Sequence, residues 1–229
     1  MANDTRSTIR TEIRRDLRDP DAKTWSNDEI NDLINAGIDA ISDLSPIEDT
    51  EDYQYTMPNT AGNNMGISLS FTPTKPFGNI FRIDVLDSTN RFVETLPIST
   101  GNGWGNGWQW FGNKVHLPAG YSYPTYLVEI SGEKYERVTA KIWGYKRHAL
   151  LTSDGTASDL SDQEKNAVKI YVQAEALQRL MVDRADFQQW QIASGSSDMT
   201  ISELSVLASS ARTRWRMEMQ RIRKMRQLA

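Results

Sequence analysis

Apolar residues near the start of the chain recur at helical spacing. Ile9, Ile13 and Leu17 fall on one face and predict a helix from about Thr5 to Leu17. Asp19-Pro20-Asp21 then reads as a turn. A second helix is announced by Ser26 as N-cap with Glu29 three places on, a capping box, and by Trp25 and Ile30 flanking the cap as a hydrophobic staple. Ile30, Leu33, Ile34, Gly37, Ile38 and Ile41 continue the period until Pro46 closes it.

Near residue 50 the period changes from helical to alternating. Ile67, Leu69 and Phe71 alternate with serines, and Phe81, Ile83 and Val85 alternate with Arg82 and Asp84. Leu127–Ile130 and Val138–Tyr145 are further strands by the same pattern, with turn-rich stretches between them. Short strands with frequent turns predict a small antiparallel sandwich or barrel.

Helical spacing returns after residue 158. Ser161 with Glu164 and Thr200 with Glu203 form two more capping boxes. The helix from Asp162 to about Asp183 is apolar on two sides, which places it between neighbours at the centre of the helical part. Asp186 to Trp190 extends or re-enters helix. The last helix runs to about Arg226 with Leu204, Ala208, Ala211, Trp215, Met219, Ile222 and Met225 on one face. At 1.5 Å per residue it spans roughly 40 Å, more than a body of this size needs to cover. Its end is therefore expected to be free for docking and dispensable for folding.

These patterns predict an α+β chain. Both chain ends, 1–49 and 158–229, form a bundle of about four helices with a long C-terminal helix, and 50–157 forms an inserted antiparallel β-sandwich or barrel-like domain with its linker. A chain of 229 residues is long enough to bury a core without metals or disulfides.

Composition narrows the chemistry. There is no cysteine and there are two histidines, His116 and His148, so thiolate zinc sites and cysteine nucleophiles are excluded and acid–base chemistry has little material. HExxH, GxSxG, P-loop, GxGxxG and calcium-loop motifs are absent. No enzyme, cofactor or metal is expected. No stretch approaches 18 apolar residues, and the first 20 lack the apolar core of a secretory signal, so neither a membrane span nor secretion is expected.

Charge is unevenly spread. The chain carries −4, while Arg212–Ala229 holds seven basic residues against Glu218, a net +6 that leaves −10 on the remainder. A basic tail on an acidic body points to a negative partner, whether nucleic acid, membrane surface or acidic protein. The apolar seam through Trp215, Met219, Ile222 and Met225, flanked by arginines, fits a helix lying in a protein groove better than a nucleic-acid helix.

Gly101–Asn113 reads GNGWGNGWQWFGN, a tandem GNGW repeat with five of the 14 glycines and three of the seven tryptophans. Trp108 and Trp110 alternate, which fits the start of a strand that packs inward. Alternatively the loop offers its rings to a protein partner or to a sugar face. The cost of ordering five glycines favours a partner that buries the rings. Trp104, Trp108, Trp110 and Phe111 are the expected contacts.

The chain also resembles the head-to-tail adaptor proteins of tailed bacteriophages. The resemblance rests on TWSNDEINDLINAGIDAISDLSP (24–46), KIWGYKRHALLTSDGTASDLSDQEKNAVKIYVQAEALQRL (141–180), DRADFQQW (183–190) and the arginine-rich last helix, in that order. It covers about half the chain, and residues 53–131 lie outside it. It implies a virion protein of the neck, present in the host cytoplasm during assembly, with no enzymatic role. Neighbouring copies would form a ring of about twelve beneath the portal protein. The last helix would dock on the portal through Arg212, Trp215, Arg216, Met219, Ile222, Arg223, Lys224 and Arg226. The β-insertion would face the next tail, stopper or nozzle protein. DNA would pass through the channel without sequence recognition, and an acidic lining would not hold it back. Two readings of other classes remain: a carbohydrate-binding or fibre-associated module acting through the tryptophan loop, and a DNA-binding protein acting through the basic helix.

Overall fold

The computed structural model describes residues 4–58, 69–99, 107–117 and 126–228. The fold is α+β, with helices and antiparallel sheets. The chain divides into a helical unit, Met1–Pro46 with His148–Ala229, and a β unit, Ile47–Arg147. The helical unit is therefore larger than its sequence boundary. Residues 148–157, expected to be linker with the insertion, belong to it.

Five helices form that unit among the described residues: α1 (Arg6–Asp16), α2 (Asn27–Leu44), α3 (Asp162–Val182), α4 (Arg184–Ser194) and α5 (Ile201–Leu228). All three predicted capping boxes are present. Ser26 and Glu29, Ser161 and Glu164, and Thr200 and Glu203 each exchange side-chain and backbone bonds across the first turn. The α1–α2 turn is built around Asp19. Its buried carboxylate accepts the backbone N–H groups of Lys23, Thr24 and Trp25 and pairs with buried Arg14 at 3.0 Å. This turn fixes the entry into α2, where Trp25 and Ile30 are both buried in one core.

α3 is the centre of the unit. Ala167, Val168, Val172, Ala176, Leu177 and Leu180 are buried on more than one side of it, packed with α2 and α5 residues in a single cluster. The two-stripe pattern had marked this position. α4 is a separate helix, and its Trp190 donates its indole N–H to the Leu17 carbonyl at 3.0 Å.

Residues 148–160 stay with the helices because polar and apolar anchors hold them there. Leu151 is fully buried and its N–H donates to Asn35 Oδ1 at 3.0 Å. Asp154 accepts from Arg6 and from both arms of the Arg10 fork. Those guanidiniums, Arg10 first, hold the Asp154 carboxyl down at about 2. His148, also buried, donates its backbone N–H to Ser42 Oγ at 3.0 Å. Its Nδ1 lies 3.2 Å from Asp159 Oδ1, and its Nε2 lies 3.1 Å from the Ser45 carbonyl and 3.6 Å from Glu164 Oε1. Both ring nitrogens therefore face acceptors, the arrangement an imidazolium satisfies. Burial alone would push the ring pKa down, but Glu164 and Asp159 outweigh it and the net direction is up.

In the β unit the larger sheet is organised by β8 (Glu133–Lys146). β1 (Ile47–Pro58) pairs with it from Ile47↔Lys146 to Pro58↔Tyr135. β3 (Phe77–Leu86) and β7 (Tyr126–Ile130) also pair with β8, and β4 (Phe92–Thr95) pairs with β3, all antiparallel. A second sheet has the order β2 (Leu69–Phe71), β6 (Lys114–Leu117), β5 (Gln109–Phe111). The sheets share one core: Phe71 and Val115 from the smaller, Ile80, Ile83, Val85, Val138, Ala140 and Ile142 from the larger. Tyr53 of β1 stacks on Phe71 with ring centroids 3.8 Å apart.

β1 has no counterpart in the sequence reading. Its acidic start, Glu48, Asp49, Glu51 and Asp52, shows no apolar alternation. Charge pairing replaces it. Asp49 pairs with Lys75 at 2.8 Å and Lys146 at 2.9 Å, which hold its carboxyl well below the usual range. Asp84, expected to face outward, is buried instead. It accepts from Trp143 Nε1, Arg82 Nε and Thr95 Oγ1, so its charge is met by three donors. Ile67 lies outside the described residues.

Candidate functional site

α5 is 28 residues long, about 42 Å. One stripe, Leu204, Ala208, Ala211, Met219 and Ile222, is buried, and Trp215 packs partly buried against the same core. The bundle thus covers the seam as far as the last described side chains. This corrects the expectation of a seam left open for a partner. Met219 and Ile222 are core residues, Trp215 is largely so, and none of the three is offered as an apolar docking face. The same packing argues against the segment being dispensable for folding.

The arginines flank that stripe. Arg212, Arg214, Arg216, Arg221 and Arg223 are all exposed. Arg212 pairs with Glu175 of α3 at 2.9 Å, and Arg221 lies 3.9 Å from Glu218. Arg214, Arg216 and Arg223 have no ion pair among the described residues. The helix is therefore held along one stripe, with Arg212, Arg216 and Arg223 on one flank of that stripe and Arg214 and Arg221 on the other. The side chains of Lys224 and Arg226 lie outside the described residues.

A cavity of about 240 Å³ opens between α3 and α5, lined by Tyr171, Ala174, Glu175, Arg212, Trp215 and Arg216. The Trp215 ring meets Tyr171 edge-on at 5.5 Å. Its Nε1–H is shielded from water and has no acceptor among the described residues. Burial and then Glu175 push the Tyr171 phenol up, against Arg212 and Arg179, so it stays protonated at neutral pH. Sequence reasoning passed over Tyr171 and Glu175. Tyr171 reads as one more apolar position and Glu175 as one more helix-surface acid until α5 is laid against them.

The tryptophan segment is only partly a surface. Trp108 is 2% exposed and sits in the β core, its Nε1–H donating to the Leu96 carbonyl at 3.2 Å. Its backbone also exchanges bonds with Pro97 and Ser99. That close pairing explains Gly107, where a Cβ would lie 2.4 Å from the Ser99 nitrogen. Trp110 packs, partly buried, against the same core. The expectation that these two rings wait for a partner is therefore corrected. They are buried locally, in a core with Ile83, Leu96, Val115 and Val138 that the loop composition did not reveal. Phe111 differs. It flanks the two-residue turn of the β5–β6 hairpin, with Gly112 and Asn113 at φ 58° and 60°, and is 77% exposed. Trp104 lies outside the described residues. With Trp108 inside, the sugar-binding reading loses one of its three rings.

Among the described residues no helix is long and apolar enough to cross a membrane, and no group of three His, Asp or Glu side chains is placed to hold a metal. No protein-family model and no curated protein matches the chain.

Proposed function

We propose that this protein is a structural connector of a tailed-phage neck, an adaptor that docks on the portal protein through the exposed arginines of α5. The observation that carries the reading is five exposed arginines on the two flanks of a helix stripe that is fixed in the bundle core. A helix so held presents its charges without having to order itself on binding, which lowers the entropic cost of docking. The order of segments shared with adaptor proteins supports the same assignment. In this reading copies assemble as a ring on the portal, the protein has no catalytic role, and Phe111 at its hairpin tip is the contact toward a neighbouring copy or the next tail protein.

The docking residues become Arg212, Arg214, Arg216 and Arg223 rather than the seam. Replacing Arg214, Arg216 and Arg223 together by Glu is expected to leave the melting temperature nearly unchanged, since exposed substitutions usually cost within about 0.5 kcal/mol. Assembly on purified portal should be lost, and the wild-type association should weaken as salt rises. Assembly of the charge-reversed protein at wild-type affinity would refute the assignment. Tight binding of the wild type to duplex DNA at physiological salt, lost in the same variant, would replace it with the DNA-binding reading.

A further inference from the structure

We propose that His148 is a proton-operated latch at the point where the chain re-enters the helical unit. Charged, its ring ties together the end of α2, the first turn of α3 and Asp159; neutral, it releases Asp159 and with it residues 148–150. The latch is independent of docking by α5.

Its position is set by the fold. Ser45 caps α2, Pro46 is the last residue before the β unit, and His148 is the first after it. The imidazole is buried, and an oxygen from each element packed on it faces a ring nitrogen. α2 supplies the Ser45 carbonyl, 3.1 Å from Nε2. α3 supplies Glu164 Oε1, 3.6 Å from the same nitrogen. Asp159 Oδ1 stands 3.2 Å from Nδ1, and its other oxygen accepts the Ala149 backbone N–H at 3.2 Å. These two carboxylates are the titratable groups facing the ring, and the cation Arg147 adjoins it along the chain.

A charged ring donates from both nitrogens, whereas a neutral one donates from one and turns a lone pair on the other acceptor. Which contact is lost follows from how the two acids are held. Glu164 is buried, with Oε2 bonded to the Ser161 N–H and hydroxyl at 2.9 and 2.8 Å and Oε1 to the Ser45 hydroxyl at 3.3 Å. It cannot turn away, so the remaining proton stays on Nε2. The lone pair then falls on Nδ1, against Asp159. Asp159 is exposed, and its carboxylate can swing into water, which removes the acceptor of the Ala149 N–H. Fully buried Leu151 and the pairs of Asp154 with Arg6 and Arg10 hold the chain beyond, whatever the ring's charge, so the release stops at residue 150. Burial opposes the ring's charge, but Glu164 and then Asp159 outweigh it, so the latch opens as pH rises above the ordinary histidine range.

Asp159→Asn separates a latch from a merely structural contact. An amide that places Nδ2 on the neutral ring nitrogen and Oδ1 on the Ala149 N–H satisfies both, so this variant should stay closed when the ring is neutral. The full chain, ¹³C,¹⁵N-labelled, is followed from about pH 5 to about pH 10, with carbon-detected spectra for the His148 ring and for the Ala149 and Leu151 amide nitrogens. In the wild type the Ala149 signal should move with the midpoint of the ring, while the Leu151 signal holds. Hydrogen exchange at Ala149, corrected for its intrinsic pH dependence, should lose about tenfold in protection, the scale of one charge-assisted bond. In Asp159→Asn the ring should titrate at lower pH and Ala149 should stay unchanged. A ring that titrates without moving Ala149 overturns the latch, as does a ring that does not titrate in this range. So does an Asp159→Asn chain that opens as the wild type does. Movement of Leu151 together with Ala149 overturns the confinement of the release to 148–150.

Discussion

Truncating Ile222 to alanine distinguishes a seam that holds the bundle together from one kept for a partner. Ile222 is 3% exposed and lies in the same core as Met219, Leu204 and Trp190. The substitution removes three carbons, about 2.4 kcal/mol at roughly 0.8 kcal/mol each, before any cavity left behind is counted. Ile→Ala changes in packed cores span about 2–5 kcal/mol. Ile222 stands six residues before the end of α5, where fraying reduces the cost, so about 2–3 kcal/mol is expected. Urea unfolding followed by the helical circular-dichroism signal measures it. The signal reports mainly the helical unit, which matters because a two-unit chain need not unfold in one step. A loss below about 0.5 kcal/mol, typical of a surface position, would refute the core assignment. The same arithmetic bears on deletion. Removing Arg212–Ala229 takes Trp215, Met219 and Ile222 together. Their combined cost rivals the roughly 5–15 kcal/mol that stabilises an ordinary domain, so the deleted chain should lose the helical unit.

Trp108→Ala should destabilise the β unit by about 3–5 kcal/mol, while Phe111→Ala stays within about 0.5 kcal/mol, both read by chemical denaturation followed by tryptophan fluorescence or strand-amide exchange. If Phe111 matters, its loss should appear in neck assembly alone. His148 makes stability depend on pH, with the sign set by its raised pKa. Its contribution is full below the unfolded value near 6.5 and fades as pH rises through the folded value. Glu164, whose pKa is held down against burial by His148 and Ser161, works oppositely, contributing above its unfolded value and losing its part as acid protonates the folded group. Unfolding midpoints at pH 6 and pH 9 should differ in the wild type and converge in His148→Gln; a pH-independent wild type would contradict the pairing.

The helices were legible because their signals are local. A capping box needs two residues three apart, and a buried stripe needs only the 3.6 period, so α2 and α3 could be placed almost to the residue. β1 was not legible, since its stability lies in Lys75 and Lys146, far away in sequence, and an acidic run alone reads as a surface. Trp108 was ambiguous for a related reason: the face that covers it comes from Ile83, Leu96 and Val138. For α5, composition located the charge but could not assign its side. Seam and arginines alternate on one helix, and only α3 laid against it decides which of them faces out. Nothing in the sequence joined Glu175 to Trp215 and Arg216, because a cavity between two helices belongs to neither of them.

The first and last pairs of the β1–β8 ladder also bear on the order of folding. The two halves of the helical unit are separated by about a hundred residues, and closing a floppy loop of that length costs about 3 kcal/mol more than closing one of four. Yet Ile47 and Lys146, at the two ends of the excursion, are direct partners. Once that ladder has zipped, the remaining gap between Pro46 and His148 is no wider than a hairpin. The insertion is then not a burden on the bundle but its clasp, and pairing of β1 with β8 lowers the cost of bringing α2 to α3.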